Sequence, residues 1–79
     1  MAKQWTYRYD KNIINVENSI KGEKLSINGE VQDMRTGLTF RRVELKGKLP
    51  SGEEVRASLG GNWTIQCNLF VDNKLQAPE

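Results

Sequence analysis

Apolar and polar residues alternate with a period of two along most of this chain. Trp5, Tyr7 and Tyr9 alternate with Gln4, Thr6 and Arg8, and Ile14 and Val16 follow. Leu25 and Ile27 alternate with Lys24, Ser26 and Asn28. Val43, Leu45 and Leu49 alternate with Arg42, Glu44, Lys46 and Lys48, and Val55, Ala57 and Leu59 with Glu54, Arg56 and Ser58. Trp63, Ile65, Cys67, Leu69 and Val71 alternate with Thr64, Gln66, Asn68 and Phe70. Successive side chains of a strand point to opposite faces, so the pattern predicts strands with one dry and one wet face. No window carries the i, i+3, i+4, i+7 stripe of an amphipathic helix. The stretch 17–22 has room for one helical turn at most.

Turn signals fall between these runs, at Asp10-Lys11-Asn12, Ser19 to Gly22, Arg35-Thr36-Gly37, Pro50-Ser51-Gly52 and Gly60-Gly61-Asn62. Short strands with turns at such even spacing mark an all-β chain. The expected product is one domain over residues 1–79. It is a small antiparallel meander of about six strands, closing as a β-sandwich or small barrel, with no substantial helix, linker or repeat.

The faces also predict registers. A two-residue loop at Lys11-Asn12 pairs Tyr9 with Ile14 and Tyr7 with Val16. A three-residue loop at Gly60-Gly61-Asn62 pairs Leu59 with Trp63, Ala57 with Ile65 and Val55 with Cys67, as a last hairpin. The turn Leu49-Pro50-Ser51-Gly52 joins the strand at Val43 to the strand at Val55. Asn28-Gly29 is the strongest short-range hairpin signal. A tight turn there, however, sets Ile27 against Glu30 and Ser26 against Val31, crossing dry with wet. The faces therefore favour one long strand over 24–33, bent at Gly29. The change of phase between Phe40 and Val43 predicts a β-bulge near Arg41.

Composition narrows the chemistry. The chain has 79 residues, one cysteine and no histidine. An intramolecular disulfide and a Cys/His zinc site are both excluded, and no metal or other cofactor is expected. Lys plus Arg number 12 against 10 Asp plus Glu, a smaller excess than a dedicated phosphate-backbone binder carries. The opening "MAKQWTYRYD" lacks the apolar run of a signal peptide, and no stretch has the length of a membrane span. A cytoplasmic setting without membrane contact is the expectation. The sequon at Asn62-Trp63-Thr64 carries no weight without a secretory signal.

Cys67 falls in phase with Trp63, Ile65, Leu69 and Val71, so it reads as a small buried apolar side chain. A nucleophilic thiolate needs a nearby base or cation and some access to solvent. The carboxylates fall at turns (Asp10, Glu23, Asp33, Glu53, Asp72) or on wet faces beside cations (Glu44, Glu54). No catalytic residue is expected and the chain is not read as an enzyme.

Two groups of residues could bind something. Arg8, Arg41, Arg42, Lys46, Lys48 and Arg56 make a candidate basic face, with Phe70 on the wet side of its strand. Trp5, Tyr7 and Tyr9, together with Phe70, make a candidate interface. The first reading is a small non-catalytic binding or interaction module, working through protein–protein contacts and as a homo-oligomer. The second is a nucleic-acid-binding barrel of the OB type that uses the basic face. The third is a small-ligand domain with an aromatic pocket. "LSINGE" and "LKGKLPSGEEVRASL" resemble the strand-and-turn pattern of small β-sandwich domains. The likeness covers a few turn residues and identifies no family.

Overall fold

The computed structural model describes residues 3–36, 42–61 and 64–79. Trp63, Leu38, Phe40 and Arg41, with the bulge expected near Arg41, lie outside the described residues. The alternation does produce strands. They are β1 (Lys3–Tyr9), β2 (Asn12–Ser19), β3 (Gly22–Ile27), β4 (Glu30–Thr36), β5 (Val43–Lys48), β6 (Glu54–Gly60), β7 (Gln66–Val71) and β8 (Lys74–Gln76). Eight strands stand where about six were expected, and the described residues contain no helix. They form two four-stranded antiparallel meanders, β1-β2-β3-β4 and β5-β6-β7-β8.

The inner faces of both sheets meet in one apolar core. Tyr7, Ile14, Val16, Leu25 and Ile27 come from the first sheet. Leu45, Val55, Ala57, Leu59, Leu69 and Val71 come from the second, and Leu49 joins them from the turn after β5. Burying each of the larger side chains contributes about 1.5–3 kcal/mol. The two sheets are stitched along their sides. At one seam the Lys46 backbone N–H donates to Asp33 Oδ2 (2.9 Å). At the other, the Glu79 N–H donates to the Thr6 carbonyl (2.7 Å), and Arg8 Nε pairs with Glu79 Oε2 (2.7 Å).

Several registers differ from expectation. The first hairpin exists, but its turn is Asp10-Lys11. Tyr7 pairs with Ile14 and Trp5 with Val16. Asp10 takes the positive φ (56°) that this tight turn requires. Residues 17–22 hold no helical turn. β2 continues to Ser19 and turns back over Ile20-Lys21. β6 and β7 pair as expected but four residues out of register, with Leu59 opposite Cys67 and Val55 opposite Val71. The last hairpin is β7–β8.

The long strand through Asn28-Gly29 is wrong. Ile27 faces Glu30 across a two-residue turn, with Asn28 at φ 52° and Gly29 at φ 84°. The turn signal prevails because β4 has no dry face to mismatch. All its residues are exposed except Asp33, which is intermediate. A β-bulge between Leu25 and Ser26 adds one residue, Gln32, on the β4 side. Glu23 is also misplaced by the sequence reading. It lies in β3, in phase with Leu25 and Ile27, and is 3% exposed.

Contrary to expectation, the chain contains a repeat. Leu25-Ser26-Ile27-Asn28-Gly29-Glu30-Val31-Gln32 matches Leu69-Phe70-Val71-Asp72-Asn73-Lys74-Leu75-Gln76 in type at most positions. Both octets fold as strand, two-residue turn, strand. Both turns are tied in the same way to the strand before. Asn28 donates its N–H to the Ile13 carbonyl (2.8 Å) and accepts the Ile13 N–H on Oδ1 (3.0 Å). Asp72 does the same with Glu54, at 2.8 and 2.9 Å. The registers extend the match across each sheet. Thr6, Arg8, Asn15 and Ser26 correspond to Lys46, Lys48, Arg56 and Phe70, and Glu23 corresponds to Cys67.

Candidate functional site

β5, β6 and β7 turn their even-numbered residues outward, away from the core. Register then places Lys46 opposite Arg56, Arg56 opposite Phe70, and Phe70 opposite Leu75. Two cations, a ring and an aliphatic side chain therefore form one row across all four strands of the second sheet. Lys48 lies one step along β5 from Lys46, opposite Glu54.

The row has internal structure. The Arg56 guanidinium carbon sits 4.4 Å from the centre of the Phe70 ring. Its Nη1 also donates to Glu44 Oε2 at 3.2 Å. A cation over an aromatic face gains about 0.5–1 kcal/mol at an exposed site, and the carboxylate offsets the like charge of Lys46 across the strand. Lys46 and Lys48 make no ion pair among the described residues. At the other end of the row, Leu75 is 63% exposed. Beside the row runs a groove of about 730 Å³. Lys46, Lys48, Arg56 and Phe70 line it together with Gln32 of β4, and Glu54 and Asp72 bring carboxylates to it. Gly47 lets the two sheets approach here, since a Cβ on it would meet the Gln32 side chain at 2.8 Å.

Family models, curated proteins and solved structures yield no match to this chain. Its site therefore has to be read from its own residues.

The structure divides the residues singled out by the sequence. Lys46, Lys48, Arg56 and Phe70 come together in the groove. Arg8 is on the other sheet, paired with Glu79. Arg42 precedes β5 and donates from Nη1 to Ser58 Oγ (2.9 Å), which helps explain why Ser58 is buried although it points outward. Arg41 lies outside the described residues. Tyr7 is core, 1% exposed, and Trp5 and Tyr9 pack against the same cluster half-buried. These three share the inner side of β1, so they do not form one surface with Phe70, which points outward on β7.

The titratable groups inside are few. Tyr7 Oη donates to the Cys67 carbonyl at 3.4 Å, and burial pushes the Tyr7 phenol up. Cys67 is on the dry side, as its phase predicts, but only half-buried, because the start of β7 lies at the margin of the core. Burial raises its thiol, partly opposed by a hydrogen bond with Tyr7. Glu23 is the group that sequence reasoning missed. Oε2 accepts from Asn18 Nδ2 (3.2 Å), while Oε1 has no partner among the described residues. Burial raises its pKa and the Asn18 bond opposes the rise. Its phase with Leu25 and Ile27 was the available signal. No three of the described acidic or cysteine side chains converge in a way that would hold a metal ion. Among the described residues no helix is long and apolar enough to cross a membrane.

Proposed function

We propose that this chain is a non-catalytic binding module whose contact surface is the outer face of the second sheet, centred on Lys46, Lys48, Arg56 and Phe70. The repeat carries this reading. At the positions matching Lys46, Arg56 and Phe70 stand Thr6, Asn15 and Ser26, three small neutral residues in one row that ends at Val31, while Lys48 is matched by another cation, Arg8. The same strand architecture is built with a neutral row on one side and a cationic, aromatic row on the other. Pairing and core packing therefore do not demand Lys46, Arg56 and Phe70. Side chains that the fold does not require, gathered beside a groove, are the expected signature of a binding surface.

The test exchanges one row for the other. Lys46→Thr, Arg56→Asn and Phe70→Ser together copy the residues of the first sheet, and the fold should survive. The variant and the parent chain are each used as bait in a native pull-down. Partners held by the parent should be lost by the triple variant, while both give the same far-UV spectrum. An unchanged partner set would overturn the proposal.

A nucleic-acid reading draws on the same row, since cations beside a ring are what a single-strand site uses. One feature weighs against it: Arg56 already covers the Phe70 ring on which a base would stack.

A further inference from the structure

Resting on that reading, we infer that the occupant of this face, lying along the row from Lys46 to Leu75, is an extended acidic peptide segment of a protein partner. Its carboxylate would lie on Lys46 and Lys48 and its apolar side chain on Phe70 and Leu75. The row is polarised to suit such a ligand. Its β5 end carries two ammonium groups without an ion pair among the described residues. Its β8 end carries an aliphatic side chain that is mostly exposed. Three strand spacings separate the ends, about 14 Å. An extended peptide covers about 13 Å over four residues, so an acidic and an apolar residue at i and i+4 would reach both.

The molecule also holds an internal example of this recognition. At the seam beside β1, the segment Leu75-Gln76-Ala77-Pro78-Glu79 leads from β8 to the edge of the first sheet. There the Glu79 N–H meets the Thr6 carbonyl and its carboxylate meets Arg8. Thr6 and Arg8 are the counterparts of Lys46 and Lys48. In the first half, the residue three past Gln32 is Arg35. In the second half, the residue three past Gln76 is Glu79. Arg35 lies in β4 opposite Glu23, and the carboxylate at the seam beside β5 is that of Asp33, which accepts from the Lys46 backbone N–H rather than from a side chain. Among the described residues the Lys48 ammonium has no ion-pair partner, where Arg8 has Glu79. Nucleic acid fits less well, because its charges repeat along the whole strand whereas this row is cationic at one end only.

The probe is a capped pentapeptide, LQAPE, titrated into the uniformly ¹⁵N-labelled chain and followed by NMR. LQAPQ and an oligothymidylate are titrated alongside. The expected result is saturable shifts at Lys46, Lys48, Arg56, Phe70 and Leu75, with LQAPQ about fivefold weaker. Three results would each overturn the inference: no shift on this face at millimolar LQAPE, equal binding of LQAPE and LQAPQ, or tighter binding of the oligothymidylate at these residues. The row-exchange pull-down keeps the two claims apart. A face that loses its partners on exchange but ignores LQAPE leaves the binding module standing and removes the acidic segment.

Discussion

The two four-stranded halves have the same topology, yet their outer faces differ in kind. The first presents Thr6, Asn15, Ser26 and Val31 in the row where the second presents Lys46, Arg56, Phe70 and Leu75. Their inner faces are closer, with Leu25 against Leu69, Ile27 against Val71 and Ile14 against Val55. All six of these are buried. Where the halves agree, the residues serve pairing and packing. Where they part, a residue has been released from the fold or recruited to something else. Tyr7 and Gly47 show the inner limit of the symmetry. A phenol fills the core from β1, while at the matching place on β5 the Gln32 side chain occupies the space.

The largest effect expected is at the shared core. Leu25 and Leu69 are both 0% exposed, so Leu25→Ala and Leu69→Ala should each cost roughly 2–5 kcal/mol. Urea unfolding followed by tryptophan fluorescence measures both. Matching losses with one cooperative transition would support a single core shared by equivalent halves. A large loss from one variant and almost none from the other would break the equivalence.

A second test targets a place where the halves differ in backbone. β2 turns into β3 over two residues, and Gly22 follows at φ 136°, with its missing Cβ only 1.9 Å from the Arg35 carbonyl oxygen. The counterpart of Gly22 is Gln66, which follows a longer connection. Gly22→Ala should cost about 3 kcal/mol through strain and displacement of β4. Gln66→Ala, at an exposed position, should stay within about 0.5 kcal/mol. Equal effects in thermal unfolding would show that β4 gives way more easily than its neighbours imply.

These comparisons show which parts of the molecule could be read in the chain. The period of two was enough for β1 to β3, β5 to β7 and the core, since Leu25, Ile27, Val55, Leu69 and Val71 all fall in as their phase says, whereas β4 and β8 carry no dry face to announce them. The side of Phe70 and Arg56 was legible for the same reason. Register was not legible, because it depends on turn geometry, and a shift by two or four residues leaves every face unchanged. The first hairpin and the β6–β7 pair moved in that way. Asn28-Gly29 failed differently. Faces decide a register only where the partner strand has a dry side, and Val31 is 53% exposed. The row Lys46–Arg56–Phe70–Leu75 could not be assembled without register, although each member was visible as an outward residue.

The smallest effect concerns Glu23 and Cys67, which occupy matching positions on β3 and β7. Both are raised by burial, but they titrate in different ranges. Glu23 binds its proton more tightly in the folded chain than in the unfolded one. Between the ordinary carboxylate range and the raised folded value, the folded state therefore holds more protons. Stability must fall as pH rises through that window, opposite to the usual carboxylate held by a cation. The contribution is fully present below the ordinary carboxylate value and is lost above the folded one. Glu23→Gln cannot ionise, so the variant should lose this downward slope, and its advantage over the parent should grow as pH rises from 4 to 7, to roughly 1 kcal/mol. Chemical denaturation at a series of pH values, parent against variant, measures the difference. A gap that stays constant across the range would mean that Glu23 finds in solution a partner for Oε1, and that the margin of the first sheet is wetter than its burial indicates.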